Sequence, residues 1–163
     1  MTIPTSIASQ QHNHDHCIST AMDTAKEVCA KNGARLTPLR EQVFRLVWNS
    51  HQPLGAYALM EMLAQQSTRK VAPPTVYRAL EFLLEQGLIH RINMLNAFVG
   101  CTHPDAEHAN NFLICESCGV AIEFSASPLQ KSINQTAADF GFTINAQSIE
   151  LMGSCQQCQS SQS

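Results

Sequence analysis

At 163 residues the chain has room for one domain or two small ones, and no apolar run is long enough to cross a bilayer as a helix. The formal net charge of −3 would argue against a nucleic-acid partner if it were spread evenly, but from Lys26 to Arg91 nine Lys and Arg face five acidic residues, a net of +4, and beyond Arg91 only Lys131 is basic against six acids, a net of −5. The first twenty residues are polar, without a basic start and apolar core, so a reducing cytoplasm is expected and the seven cysteines point to metal rather than to disulfides.

The leader carries His12, His14, His16 and Cys17, metal-capable by type, and reads as a flexible tail over residues 1–20. Met22, Ala25, Val28 and Cys29 then recur at helical spacing and stop at Asn32-Gly33, a glycine C-cap signal. Thr37-Pro38 reads as an N-cap followed by proline at the first helical position, with Leu39, Val43, Phe44, Leu46 and Val47 as the apolar stripe of a second helix. Pro53 breaks the chain before a third helix from about Ala56, which turns Leu59, Met60 and Leu63 inward. A fourth opens at Pro73-Pro74-Thr75, buries Val76, Ala79, Leu80, Leu83 and Leu84, and closes at Gly87, leaving Tyr77, Arg78, Glu81 and Glu85 outside.

After Gly87 the period changes. LIHRI and AFVGC are short strand-like runs separated by Asn93 to Asn96, a hairpin, and helices followed by a hairpin outline a winged helix. The polar stretch 102–111 reads as a hinge. Beyond it FLIC and AIEF flank the first cysteine pair, Ser127-Pro128 caps a helix carrying Leu129, Ile133, Ala137 and Phe140, and FTIN and IELM supply further strand character. The expected class is α+β: a winged-helix DNA-binding domain over 21–101, the hinge, and a small α/β dimerisation and metal-binding domain over 112–163 whose few strands a partner subunit can complete.

Two Cys-x-x-Cys pairs, Cys115/Cys118 and Cys155/Cys158, lie forty residues apart, each at the edge of a strand-like run. Two residues between ligands let a tight knuckle aim both sulfurs at one ion, and Zn²⁺ accepts four thiolates tetrahedrally, so a structural zinc is expected. A redox pair needs only one such motif and leaves the other unexplained. A second constellation is His90, Cys101, His108 and Glu123, spread over the wing, the hinge and the strand after the first knuckle. Nitrogen, sulfur and oxygen donors together suit zinc, and ligands drawn from both halves would couple metal binding to domain orientation. Taken singly each has an ordinary reading: His90 as wing surface, Cys101 as a small buried hydrophobe, His108 and Glu123 as solvated polar groups.

The segments RLTPLR (Arg35 to Arg40), PPTVYRALEFLLEQGLIH (Pro73 to His90) and FLICESCG (Phe112 to Gly119), with the late Cys-x-x-Cys, resemble the ferric uptake regulator superfamily and, within it, its zinc uptake regulator branch. The resemblance spans roughly Ala21 to Cys158. It implies a homodimeric, metal-dependent repressor that binds palindromic operator DNA, with structural zinc on Cys115, Cys118, Cys155 and Cys158 and regulatory zinc on His90, Cys101, His108 and Glu123, two Zn²⁺ per subunit. Iron-sensing members carry a His-His-x-His cluster before the first knuckle where this chain has His108-Ala109-Asn110-Asn111, which favours zinc. His103 is a possible substitute ligand. The fourth helix is expected in the major groove, with Tyr77 and Arg78 at base edges, Tyr57 at a second base-contacting position, and Arg35, Arg40, Arg69, Lys70 and Arg91 near phosphates. No catalytic arrangement and no small-molecule substrate beyond the metal are expected. A sensor of iron or manganese is the alternative within the class, and a thiol-redox or zinc-handling protein the alternative outside it.

Overall fold

The computed structural model describes residues 14–50, 52–66, 71–104 and 110–160, with side chains from His16 onward. Four helices come first: α1 (His14–Lys31), α2 (Pro38–Trp48), α3 (Ala56–Gln66) and α4 (Pro73–Glu85), with the two-residue strand β1 (Leu54–Gly55) before α3. The hairpin follows as β2 (Ile89–Ile92) and β3 (Ala97–Gly100). The second unit comprises β4 (Asn110–Cys115), β5 (Ala121–Glu123), α5 (Ser127–Asp139), β6 (Ser148–Gly153) and α6 (Gln156–Ser160). None of the helices among the described residues is long and apolar enough to cross a membrane.

Most boundaries follow from local chemistry. The paired prolines that open α4 sit where backbone N–H groups have no intrahelical partner, and their fixed φ suits the first turn. At its other end Gly87 adopts φ +67°, which lets Leu88 N–H reach the Leu83 carbonyl at 2.9 Å and Gly87 N–H the Leu84 carbonyl at 3.0 Å. Gly33 ends α1 in the same way. The helices bury Met22, Val43, Phe44, Leu59, Leu63, Val76, Leu80 and Leu83 in one core, with Ile89 and Phe98 of the hairpin closing it. β2 and β3 pair antiparallel from Ile89↔Gly100 to Ile92↔Ala97, and β1 adds to the free edge of β3. This is the expected winged helix.

Several expectations are corrected. The stretch His14–Thr20, read as tail, is the start of α1; the Thr20 and Thr24 hydroxyls each bond back to a carbonyl four residues earlier at 3.0 Å, accommodating polar residues inside the helix. Asn110 and Asn111, expected at the end of the hinge, instead pair with Ser148 and Ile149 as the start of β4. Ser127 is the first residue of α5 and Ala126 its cap. Phe142–Asn145 form no strand: they connect α5 back to the start of β6, which must run parallel to β4. The C-terminal turn α6 has no apolar stripe to announce it.

The second sheet has the order β5-β4-β6, with β4 antiparallel to β5 and parallel to β6. Its face bearing Phe112, Ile114 and Ala121 packs on Ile92 and Val99 of the wing, a small apolar junction between the units. Its other face and α5 are less covered: Leu113, Leu151, Phe140 and Phe142 are exposed, the last two at 84% and 70%, and α5 buries none of its residues.

Candidate metal centres and nucleic-acid face

Parallel pairing of β4 with β6 sets Cys115 beside Gly153, and so brings the two knuckles together across their sequence separation. The ligand atoms of Cys115, Cys118, Cys155 and Cys158 lie within 4.8 Å of one another. Gly119 takes φ +72°, the left-handed geometry that turns the chain back so that its N–H reaches the Cys115 carbonyl at 2.9 Å. Cys155 N–H donates to Cys115 Sγ at 3.3 Å, and Cys118 Sγ sits 3.8 Å from Cys155 Sγ.

These contacts shape the thiols differently. The backbone N–H groups of Cys155 and Cys118 hold Cys115 down at about 6, which favours its thiolate form. The Cys155 side chain, followed by burial and the remaining sulfurs, pushes Cys158 up to about 12. Four soft donors whose ionisation is mutually opposed are what a thiophilic dication stabilises, so the set fits zinc.

The second group joins the units. His90 of β2, Cys101 just after β3 and Glu123 at the end of β5 bring their ligand atoms within 4.8 Å of one another. His90 and Cys101 are 7% and 2% exposed. Cys101 N–H donates to the Leu88 carbonyl at 3.0 Å, extending the hairpin ladder and fixing the thiol beside His90. His90 Nε2 lies 3.3 Å from Glu123 Oε1, and its ring stands edge-on to Phe112 at 5.5 Å. Thr102 Oγ1 donates to Glu123 Oε2 at 3.2 Å and lies 2.9 Å from His103 Nδ1, so the exposed His103 is one hydroxyl away from the group and outside it. The mixed N, S, O set also fits zinc. His108, expected as the fourth ligand, lies outside the described residues, as do His12, Arg69 and Lys70. His16 and Cys17 lie on α1 and belong to neither group.

In the first unit, α4 exposes Tyr77, at 42%, and Arg78, and Tyr57 is 79% exposed at the start of α3. Arg35 is exposed. The Arg40 guanidinium stacks 3.6 Å over the Phe82 ring and donates to the Arg35 carbonyl at 2.6 Å, which ties the start of α2 to α4. Arg91 likewise bonds within the wing, to Asn96 Oδ1 at 2.8 Å. Sequence reasoning missed Glu150, which reaches from β6 to the wing turn, Gln52, whose Nε2 donates to the Cys118 carbonyl at 2.6 Å, and Thr102. Each acts across at least 20 residues of sequence, and no local spacing marks it.

A winged helix with aromatic and arginine side chains on the outer face of its recognition helix, joined through a mixed ligand group to a cysteine-stapled sheet, defines a metal-linked DNA-binding protein. The chain belongs to the ferric uptake regulator family, whose pattern it matches over residues 31–152. It is 37% identical over 135 residues to the zinc uptake regulation protein of Escherichia coli (strain K12), covering 82% of this chain and 78% of that protein. Among solved structures it resembles a zinc uptake regulator complexed with zinc and DNA, at 34% identity and TM-score 0.83, covering 89% of this chain and 97% of that one. It also resembles holo XcZur, at 37% identity and TM-score 0.77 over 88% of this chain and 99% of that one. Against apo XcZur, at 36% identity over 87% and 97%, the TM-score is 0.53.

Proposed function

We propose that this protein is a zinc-responsive transcriptional repressor that binds palindromic operator DNA as a homodimer and silences zinc-uptake genes when zinc-loaded. The observation that carries the reading is the convergence of His90 and Cys101 from the wing with Glu123 from the second sheet. When bound, zinc supplies one positive centre to donors of both units. The protein's own residues do the rest: the hairpin ladder holds Cys101, the Thr102 hydroxyl orients Glu123, and the Ile92–Phe112 packing provides the surface on which one orientation closes. His108 completes the set in this reading, and the four cysteines hold a second, structural zinc, making two per subunit.

The contrast among relatives supports it. At nearly equal identity the chain superimposes better on holo than on apo XcZur, with TM-scores of 0.77 and 0.53, which supports a metal-linked arrangement of the two units. The domains of this reading are the winged helix up to Cys101, the linking segment that begins at Thr102, and the dimerisation module beyond it. The exposed apolar residues of α5 and of the outer sheet face make the dimer surface. The setting is the cytoplasm, and the chemistry is recognition rather than catalysis. Tyr57, Tyr77 and Arg78 read bases while Arg35 and Lys70 meet phosphates.

Operator titrations over buffered free Zn²⁺, Fe²⁺ and Mn²⁺ test the proposal. Sequence-specific binding that rises with zinc supports it; binding indifferent to zinc, or raised only by iron or manganese, refutes it.

A further inference from the structure

Glu123 and Glu150 occupy matching places on the second sheet. Both pair with Phe112, Glu123 from β5 and Glu150 from β6, so the two carboxylates flank one aromatic ring on the face turned to the wing. Glu123 meets the base of the wing at His90. Glu150 meets its tip: Oε1 accepts the Asn93 backbone N–H at 2.7 Å and the Asn93 side-chain amide at 3.2 Å, and Oε2 accepts the Met94 N–H at 2.7 Å. Successive N–H groups in a turn form a concavity that takes an anion, and a carboxylate bridging two of them makes short, charge-assisted bonds.

We infer that Glu150 is a positioning residue that clasps the wing turn to the second sheet and so holds the wing in the orientation that binds operator. The inference rests on the proposed repressor function and adds to it a second attachment that uses no metal. The wing is then fixed at both ends, by the ligand group at its base and by Glu150 at its tip, with Ile92 and Val99 packed between. Two separated attachments resist rotation about either one, which a single ligand group at the base cannot do alone. The clasp also commits the Asn93 and Met94 amides to the protein's own sheet, so these groups are not DNA-phosphate contacts.

The test uses the full-length zinc-loaded dimer with Glu150→Gln and Glu150→Ala. Glutamine keeps the shape but sets an N–H₂ against the amides where an acceptor was. Zinc content and dimer mass are expected to match wild type, while operator affinity at saturating zinc falls about tenfold or more, about 1.4 kcal/mol. Backbone amide exchange at Asn93 and Met94 accelerates in both variants, with exchange in β4 unchanged. Unchanged exchange in both variants, or operator curves that overlay wild type, would overturn the clasp. Loss of zinc or of the dimer in Glu150→Gln would make the residue structural and overturn it equally. Failure of wild type to respond to zinc would instead remove the repressor reading itself.

Discussion

Cys101→Ser separates a zinc sensor from a protein that merely contains zinc. The thiol is 2% exposed and held by a backbone bond to Leu88, so serine places its hydroxyl in nearly the same position and the change is one of ligand chemistry. Among the described residues the apolar junction it leaves behind is small, four buried side chains with Val99 packed against them, beside the nineteen buried residues of the winged-helix core. Orientation therefore depends on the ligand group at the base of the wing together with the Glu150 clasp at its tip. A shift from 1:99 to 99:1 needs a preference of about 10⁴, or about 5.5 kcal/mol, for the DNA-competent arrangement. Removing a partner that only orients a ligand costs about 10- to 100-fold in metal affinity, and losing a thiolate ligand itself should cost at least the upper figure. The half-saturating free zinc for operator binding should thus rise by about 100-fold or more, with folding, dimerisation and one zinc per chain retained. The assay is fluorescence anisotropy of a labelled operator over buffered zinc, with metal content measured on the same samples. A curve that overlays wild type would falsify the assignment and move the site elsewhere.

Cys115→Ser or Cys158→Ser should unfold or dissociate the second unit, because a structural zinc contributes roughly 10 to 16 kcal/mol in small zinc domains against about 5 to 15 for a whole domain; a well-folded dimer with undiminished zinc would count against the four-cysteine set. Arg78→Ala should cost about 1 to 3 kcal/mol on the operator and relax discrimination, whereas Arg35→Ala should weaken binding to all sequences and flatten its salt dependence; equal losses on specific and random DNA from Arg78→Ala would remove it from base reading. Gly100→Ala should destabilise the first unit, since a Cβ there would stand 2.5 Å from both Cε2 and Nε1 of the Trp48 ring. Overpacking of that kind costs about 1 to 3 kcal/mol, roughly 2 to 12 °C in Tm for a chain of this size, and calorimetry showing an unchanged Tm would mean the indole moves aside freely.

What the sequence determined by itself was local. Periodicity placed the stripes of α2, α3 and α4, the Gly33 and Gly87 stops ended their helices, Asn93 to Asn96 set the hairpin turn, and two residues between cysteines marked each knuckle. Those signals arise from contacts within a helical turn or across one tight loop, so they are written in adjacent residues. Only the tertiary structure decided what meets what over longer spans. Parallel pairing of β4 with β6 brought Cys115 to Cys155 and took up Asn110 and Asn111, the last two residues assigned to the hinge, while the pairing of β4 with both β5 and β6 laid Glu123 and Glu150 on either side of Phe112. The Arg40 stack on Phe82 gave that arginine a tie between α2 and α4, and the packing of Trp48 against Gly100 gave a glycine in a strand its reason. Such contacts depend on strand register and on how two sheets are set against each other. That register minimises the free energy of the whole packed core, and no short window of residues encodes it.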